Sequence, residues 1–172
     1  MTIPGQLHMI NYNHTAGIEL AVAAYFDYRR NIVVPNVWWG FGLNHECDLL
    51  VMTGSGYCYE VEIKVSRSDL KADQKKRYGH ASNKIRKLYF AIPTKLTPHV
   101  NLVPDRAGIL IVGDGGYIRK HREAKPNQFC KQLGDKERAK LLTLGCMRIW
   151  KLKRIILDNG HPPTDFDLGQ LL

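Results

Sequence analysis

An aspartate, a glutamate and a lysine flank a glycine-rich turn early in the chain. Asp48 precedes the turn, and Glu62 and Lys64 follow it. Because the segments on both sides are rich in β-branched and aromatic residues, the stretch 47–65 predicts a β-hairpin. Carboxylates on neighbouring strands can hold a divalent cation, and an amine beside them can orient a water molecule or offset negative charge. These residue types therefore indicate metal-assisted chemistry.

The length of the turn decides which of these side chains meet. A loop over residues 54–56 pairs Thr53 with Tyr57, and counting outward sets Asp48 opposite Glu62. Since side chains alternate along a strand, one face of the hairpin is predicted to be apolar and the other charged. The apolar face holds Cys47, Leu49, Val51, Tyr59, Val61, Ile63 and Val65. The charged face holds Glu46, Asp48, Glu60, Glu62 and Lys64.

The charged face needs a counter-charge, because like charges that face each other across a strand pair destabilise it. A divalent cation is the simplest candidate. The alternative is an ordinary solvated sheet surface on which Lys64 neutralises one carboxylate. A zinc site built from His45, Cys47 and distant residues is a further alternative, although the four cysteines show no paired ligand spacing and are expected to be reduced.

The order of these residues resembles a known pattern. Asp48, followed after a short hairpin by Glu62-Ile63-Lys64, resembles the PD-(D/E)XK nuclease superfamily. The stretch EIKVSRSDLKADQKKRYGH and the later KLYFAIP are similar to the MmcB-like DNA-repair branch of that superfamily. The resemblance covers about residues 17–113. One departure is Cys47, which stands where the superfamily pattern has proline.

The resemblance implies a fold, a metal centre and a reaction. The implied fold is α/β, a restriction-endonuclease-like mixed central sheet flanked by helices with an αβββαβ core. Asp48, Glu62 and the backbone carbonyl of Ile63 would bind Mg²⁺ or Mn²⁺. Lys64 would orient or help activate the attacking water and offset charge growing on the phosphate.

Glu19 completes the predicted catalytic and metal-binding set. It lies next to the apolar stripe of a helix predicted over residues 15–28, for which Thr15 is the expected N-cap. In the resembling family a glutamate of the first helix often reaches the metal, directly or through water. The alternative is a solvated helix glutamate. Glu60, one row along the charged face, is a reserve ligand.

The composition favours one domain and a polyanionic partner. With 172 residues, of which 44% are hydrophobic, the chain can bury one core, so we expect a single domain over 1–157 and a tail over 158–172. A net charge of +9 favours nucleic acid ahead of a membrane surface. No apolar run reaches bilayer length, and the first residues lack the pattern of a secretion signal. We expect a cytoplasmic protein, bacterial or phage-encoded, that binds DNA and no membrane.

Basic residues follow the hairpin in two groups. One group lies on a helix predicted after Lys64, where a lysine-rich face beside the site favours phosphate contact over the usual solvated helix face. The other lies at the start of the next strand. The predicted nucleic-acid-binding residues are Arg67, Lys71, Lys75, Lys76, Lys84, Arg86 and Lys87.

Other elements are predicted on both sides of this region. They are an edge strand over 31–39 that contains Pro35, a buried parallel strand over 84–93, a second hairpin over 107–122 and helical structure from Asp135 that Gly145 could divide.

The predicted function is a metal-dependent nuclease for DNA phosphodiester bonds, acting in DNA repair, recombination or phage DNA processing. The alternative is a DNA-binding repair or phage accessory protein with the same fold that does not cut. Whether two chains pair as a homodimer is left open.

Overall fold

The described part of the chain, residues 10–38, 41–43, 45–73 and 82–159, is built around a six-stranded sheet in this computed structural model. The strands are β1 (Ile32–Val37), β2 (Cys47–Met52), β3 (Cys58–Ile63), β4 (Ile85–Pro93), β5 (Gly108–Val112) and β6 (Ile118–Arg122). The helices are α1 (Thr15–Tyr25), α2 (Arg67–Asp73) and α3 (Asp135–Asp158), and a 3₁₀ segment spans Thr94–Leu102.

The sheet is mixed, and its strands lie side by side in chain order. β1, β2 and β3 are antiparallel neighbours, β3, β4 and β5 are parallel, and β6 returns antiparallel to β5. A parallel pair needs a crossover, and α2 lies in the one that joins β3 to β4. The protein is therefore α/β, with the predicted order of a helix, three strands, a helix and a strand, followed by the predicted second hairpin.

Both faces of the sheet are covered by apolar packing. On one face, α1 places Ile18 and Val22 against Leu49 and Val61 of the hairpin. On the other face, Leu50 of β2 packs in a second cluster with residues of α3. A third cluster joins Leu70 of α2 and the 3₁₀ segment to β4 and β5 on that same side, through Leu88, Phe90, Ile92, Leu96, Ile109 and Ile111. Each fully buried aliphatic side chain of this kind contributes about 1.5–3 kcal/mol.

Several boundaries differ from the prediction. The first helix ends at Tyr25, and His14, not Thr15, occupies its N-cap position. α3 is one continuous helix through Gly145, although glycine has a low helix propensity. Gly145 packs against Val34 of β1, and this contact with the edge strand stabilises the helix there.

All four cysteines are free, as predicted. In the described residues no helix is both long and apolar enough to cross a membrane.

Cys47 lies on the face opposite to the one predicted. It packs with Leu50 and Met52 in the cluster under α3, although it is an odd-numbered residue of β2. Its strand partner Val37 follows Asn36, which adopts a left-handed conformation with φ of 52°. This local distortion of the edge strand interrupts the alternation of side chains, so counting by twos fails at this end of the hairpin.

The turn of the hairpin has the predicted length. The Thr53 amide donates to the Tyr57 carbonyl at 2.9 Å, and the Gly56 amide donates to the Thr53 carbonyl at 2.9 Å. Leu49 pairs with Val61 and Met52 with Cys58, as the predicted loop length requires, and beyond these pairs Asp48 accepts a hydrogen bond from the Ile63 amide. The register from Leu49 to Met52 is confirmed, and it depends on Gly56, whose φ is 80°.

Replacing Gly56 by alanine should destabilise the protein by about 2 kcal/mol or more, because a side chain in the left-handed region costs about 1–2 kcal/mol. A Cβ atom there would also lie 2.6 Å from the Leu133 carbonyl oxygen. The matched control is Gly54→Ala, since a Cβ atom at Gly54 meets no heavy atom within 4 Å. Urea unfolding of both variants measures the difference. Equal stabilities would show that neither the left-handed conformation nor the close approach to Leu133 requires glycine at position 56.

Candidate functional site

Two glutamates lie buried at the centre of the sheet. Glu60 and Glu62, on the same face of β3, are 0% and 1% exposed. Both lie on the face of the sheet that packs against α3 and α2. A buried carboxylate is costly unless it is paired and hydrogen-bonded. The alternative of a solvated charged surface is therefore wrong for this part of the hairpin.

Lys64 supplies one counter-charge to these carboxylates. Its Nζ lies 2.6 Å from Glu62 Oε2 and 3.3 Å from Asp73 Oδ1. Asp73 belongs to α2, three residues after the buried Leu70, so the two side chains face the sheet together. Sequence reasoning did not identify Asp73 as a partner of Lys64. The signal was its spacing from Leu70.

The surroundings of Lys64 keep it protonated. Burial acts to lower its pKa, but the carboxylates of Glu62, Asp73 and Asp48 outweigh burial, and the net pKa is raised. A raised lysine pKa means that the ion pairs stabilise the fold throughout the neutral range. That contribution is lost only as the pH rises through the folded-state pKa of Lys64.

Asp48 lies at the start of β2, on the strand beside Glu62. Its Oδ2 accepts a hydrogen bond from the Ile63 amide at 2.7 Å, which fixes the carboxylate against the neighbouring strand. Its charge raises the pKa of Lys64 and of Glu19. The structure therefore brings the predicted residues Asp48, Glu62 and Lys64 into one electrostatic unit at the end of the hairpin.

Glu19 approaches this unit from α1 and is partly exposed. Burial raises its pKa first, and the Asp48 carboxylate raises it further. Glu19 also lines a cavity of about 520 Å³ together with Glu46. The opposite wall of this cavity carries Arg148 and Lys151 of α3. The result is a groove that has carboxylates near Asp48 on one side and cations on the other.

Arg148 also holds α3 against the edge strand. Its guanidinium donates to the carbonyls of Pro35 at 3.4 Å and of Asn36 at 2.5 Å. The distorted end of β1 is thus tied to the helix that forms the far wall of the groove. Sequence reasoning assigned no role to Arg148 and Lys151, because only the packing of α3 on β1 brings them to this groove.

His45, which the sequence offered as a possible zinc ligand, has a partner that sequence reasoning did not identify. Its Nε2 lies 2.7 Å from Glu60 Oε1. One ligand atom from each of His45, Glu60 and Glu62 lies within 4.8 Å of the other two, and this is a group whose residue types could hold a metal ion. Cys47, predicted as a possible zinc partner of His45, donates its thiol to the Val37 carbonyl. The three-residue separation of His45 from Asp48 was the available signal.

The predicted basic residues fall into separate places. Arg67 and Lys71 are exposed on α2, immediately after Lys64. The predicted contacts Lys75 and Lys76 lie outside the described residues.

Arg86 and Lys87 of β4, and Lys84 just before this strand, lie at the other end of the parallel pair β3–β4 from Glu62. Lys87 is aligned with Tyr59, whereas Glu62 is aligned with Phe90. Each of them also has a partner within the protein. Lys84 donates to the Phe41 carbonyl, Arg86 to the Asn127 carbonyl and Lys87 to the Glu123 carboxylate. The structure therefore does not bring Lys84, Arg86 and Lys87 to the hairpin site.

The fold and the site define an α/β protein with a mixed sheet and a cluster of buried charges at its centre. Comparison with known proteins finds no matching family model and no matching curated protein. A solved structure of a protein of unknown function from Silicibacter pomeroyi is similar, with a TM-score of 0.59 and 19% sequence identity. The match covers 92% of this chain and 100% of that one. At this identity the similarity concerns the fold alone.

Glu19→Gln should raise the thermal midpoint at neutral pH by a few degrees, because it removes a carboxylate whose charged form is penalised by burial and by Asp48. A raised folded-state pKa makes the wild type lose stability as the pH rises through the acidic range. The gain in the variant should therefore shrink as the pH falls below the ordinary glutamate range. Thermal melts across that range measure it. A constant difference at all pH values would contradict the assignment.

Proposed function

We propose that this protein is a metal-dependent nuclease that hydrolyses DNA phosphodiester bonds, with a restriction-endonuclease-like fold of the PD-(D/E)XK type. The observation that supports the proposal is that the Asp48 carboxylate accepts a hydrogen bond from the Ile63 amide, next to Glu62, while Lys64 contacts Glu62 at 2.6 Å. An acidic residue on one strand and an acidic residue with a lysine on the next is the arrangement that the resemblance implies. DNA repair, recombination and phage DNA processing are the settings that we propose.

The donor set fits a hard divalent cation such as Mg²⁺ or Mn²⁺. Asp48 and Glu62 offer carboxylate oxygens on adjacent strands, and the Ile63 carbonyl lies between Glu62 and Lys64 in the chain. Oxygen ligands of this kind suit Mg²⁺, which keeps several waters when it is bound by few protein groups. When bound, the ion would supply a water of lowered pKa and polarise the phosphate. Glu19, which lines the groove, would bind the ion directly or through one of its waters.

Lys64 has an electrostatic role in this proposal. The neighbouring carboxylates raise the pKa of Lys64, which favours the protonated form and hence a charge-stabilising role. An ammonium has three N–H donors, of which one donates to Glu62, and Asp73 lies 3.3 Å away as an ion-pair partner. A further N–H can donate to the attacking water or to a phosphate oxygen. Asp73 thus helps to orient the lysine that stabilises charge in the transition state.

Positive charge around the site would hold the DNA backbone. Arg67 and Lys71 are exposed directly beyond Lys64, and Lys151 lines the groove beside Glu19. Lysine and arginine contacts to phosphate position a nucleic acid without reading its sequence. The net charge of +9 supports the same partner. We therefore propose that the DNA strand runs across the groove between α2 and the C-terminal half of α3.

A DNA-binding protein that does not cut is the second candidate. The observation that favours it is the internal pairing of Lys64 with Glu62 and Asp73, since such a network can also serve only to stabilise a core. The two candidates share the groove and the basic residues. They differ in whether the chain cleaves DNA when a metal is supplied.

Asp48→Asn should lower single-turnover cleavage of plasmid or forked DNA by at least ~10²-fold in Mg²⁺ or Mn²⁺, because it removes a charged ligand while keeping the shape of the side chain. The control variant is Asp105→Asn, since Asp105 has an almost fully exposed side chain outside this site. Cleavage by the wild type should disappear in EDTA. A wild type that binds DNA but never cuts it would favour the second candidate, and full activity in Asp48→Asn would remove Asp48 from the site.

The double variant Arg67→Ala/Lys71→Ala should weaken binding to all DNA sequences and reduce its salt dependence. A plot of log K, where K is the association constant, against the logarithm of the salt concentration has a negative slope. Loss of two phosphate contacts reduces the magnitude of that slope by roughly 1.8 for duplex DNA. Fluorescence anisotropy at several salt concentrations measures both quantities. The control Arg119→Ala/Lys120→Ala removes the same charge from β6, at the other edge of the sheet. Equal losses in the two variants would mean that only total charge matters.

A further inference from the structure

The pair formed by His45 and Glu60 lies beside the proposed nuclease site and is not used by it. The two side chains approach within 2.7 Å, and Glu62 brings a third ligand atom within 4.8 Å of both. Two ligand atoms of one tetrahedral Zn²⁺ ion, each bonded at about 2.0–2.2 Å, lie roughly 3.5 Å apart. Side-chain shifts of up to about 1 Å would therefore let all three residues bind one ion.

The fold holds these three side chains in place before any ion arrives. Glu60 and Glu62 stand two residues apart on β3, which has neighbours on both sides, so they point to the same face. Both are fully buried, so their rotamers are restricted by packing. A site on a central strand loses little conformational freedom when it binds.

His45 comes from the segment before β2, and that segment is anchored at two points. Phe41 and Leu43 are buried in the cluster under α3. Lys84 reaches the Phe41 carbonyl from the start of β4. The His45 side chain is 17% exposed, whereas that of Glu60 is fully buried. The imidazole therefore lies at the solvent-facing end of the cluster, where an ion would enter.

The donor types select the kind of ion. Imidazole nitrogen suits zinc, iron, nickel and copper, and a site of mixed nitrogen and carboxylate donors binds first-row transition ions in preference to Mg²⁺. Glu62 can accept from Lys64 with one oxygen and bind an ion with the other, because a carboxylate has two oxygens. This site would therefore adjoin the proposed Mg²⁺ ligands and share Glu62 with them.

We propose that His45, Glu60 and Glu62 form a binding site for a divalent transition-metal ion such as Mn²⁺ or Zn²⁺. The competing account is that His45 and Glu60 form only an ion pair that neutralises a buried carboxylate. This proposal goes beyond the nuclease assignment, since the ion would bind whether or not the chain cuts DNA.

The test is metal binding by the full-length protein after EDTA treatment and dialysis. Calorimetric titration with Mn²⁺ should show a site that Mg²⁺ does not fill. The electron spin echo of bound Mn²⁺ should show modulation from an imidazole nitrogen. His45→Ala should remove that modulation, and both His45→Ala and Glu60→Gln should weaken binding by at least ~10-fold. His121→Ala, on exposed β6, is the matched control and should change nothing.

Two results would overturn the proposal. One is Mn²⁺ bound to the wild type without nitrogen modulation, and the other is unchanged affinity in a folded Glu60→Gln variant. The spin-echo measurement on the wild type needs no variant, so it decides the matter even if His45→Ala fails to fold. Asp48→Asn separates this proposal from the nuclease assignment. That variant should lose cleavage and keep the nitrogen signal.

Discussion

The burial of charge on β3 is the constraint on which the rest of the structure depends. Glu60 and Glu62 are inaccessible to solvent in a sheet that has apolar clusters on both faces. Removing one partner of a buried ion pair costs roughly 3–5 kcal/mol, because the remaining charge stays uncompensated. Lys64 and His45 must therefore stay close to these carboxylates, and the elements that carry them are held to the hairpin by electrostatics as well as by packing.

The flanking helices acquire their roles from this constraint. α2 places Asp73 beside Lys64, so the lysine is held by two carboxylates and stays protonated. α1 places Glu19 near Asp48 in a position where both charges disfavour each other. Local conflicts of this kind are common at functional sites, and the roles that we propose for Glu19 and Asp48 agree with that tendency.

The hairpin could be predicted from the sequence because its information is local. The turn residues set the loop length, and the loop length then set the register of β2 on β3, with Leu49 opposite Val61. The prediction failed where tertiary packing decides. Cys47 changes face beside the point where Asn36 of the neighbouring strand is left-handed, and the link between Asp73 and Lys64 needs α2 to return over the sheet. The partner of His45 was missed because Glu60 lies on the far strand of the hairpin, and Lys87 meets Glu123 only through the order of the strands.

The central claim is that Asp48 and Glu62 hold a divalent metal ion on the hairpin. Anomalous diffraction from crystals soaked in Mn²⁺ tests it most directly, because it locates the ion without reference to activity. Our account predicts an anomalous peak within bonding distance of both the Asp48 and the Glu62 carboxylates. An absence of any peak near Asp48, or a peak confined to His45 and Glu60, would contradict it.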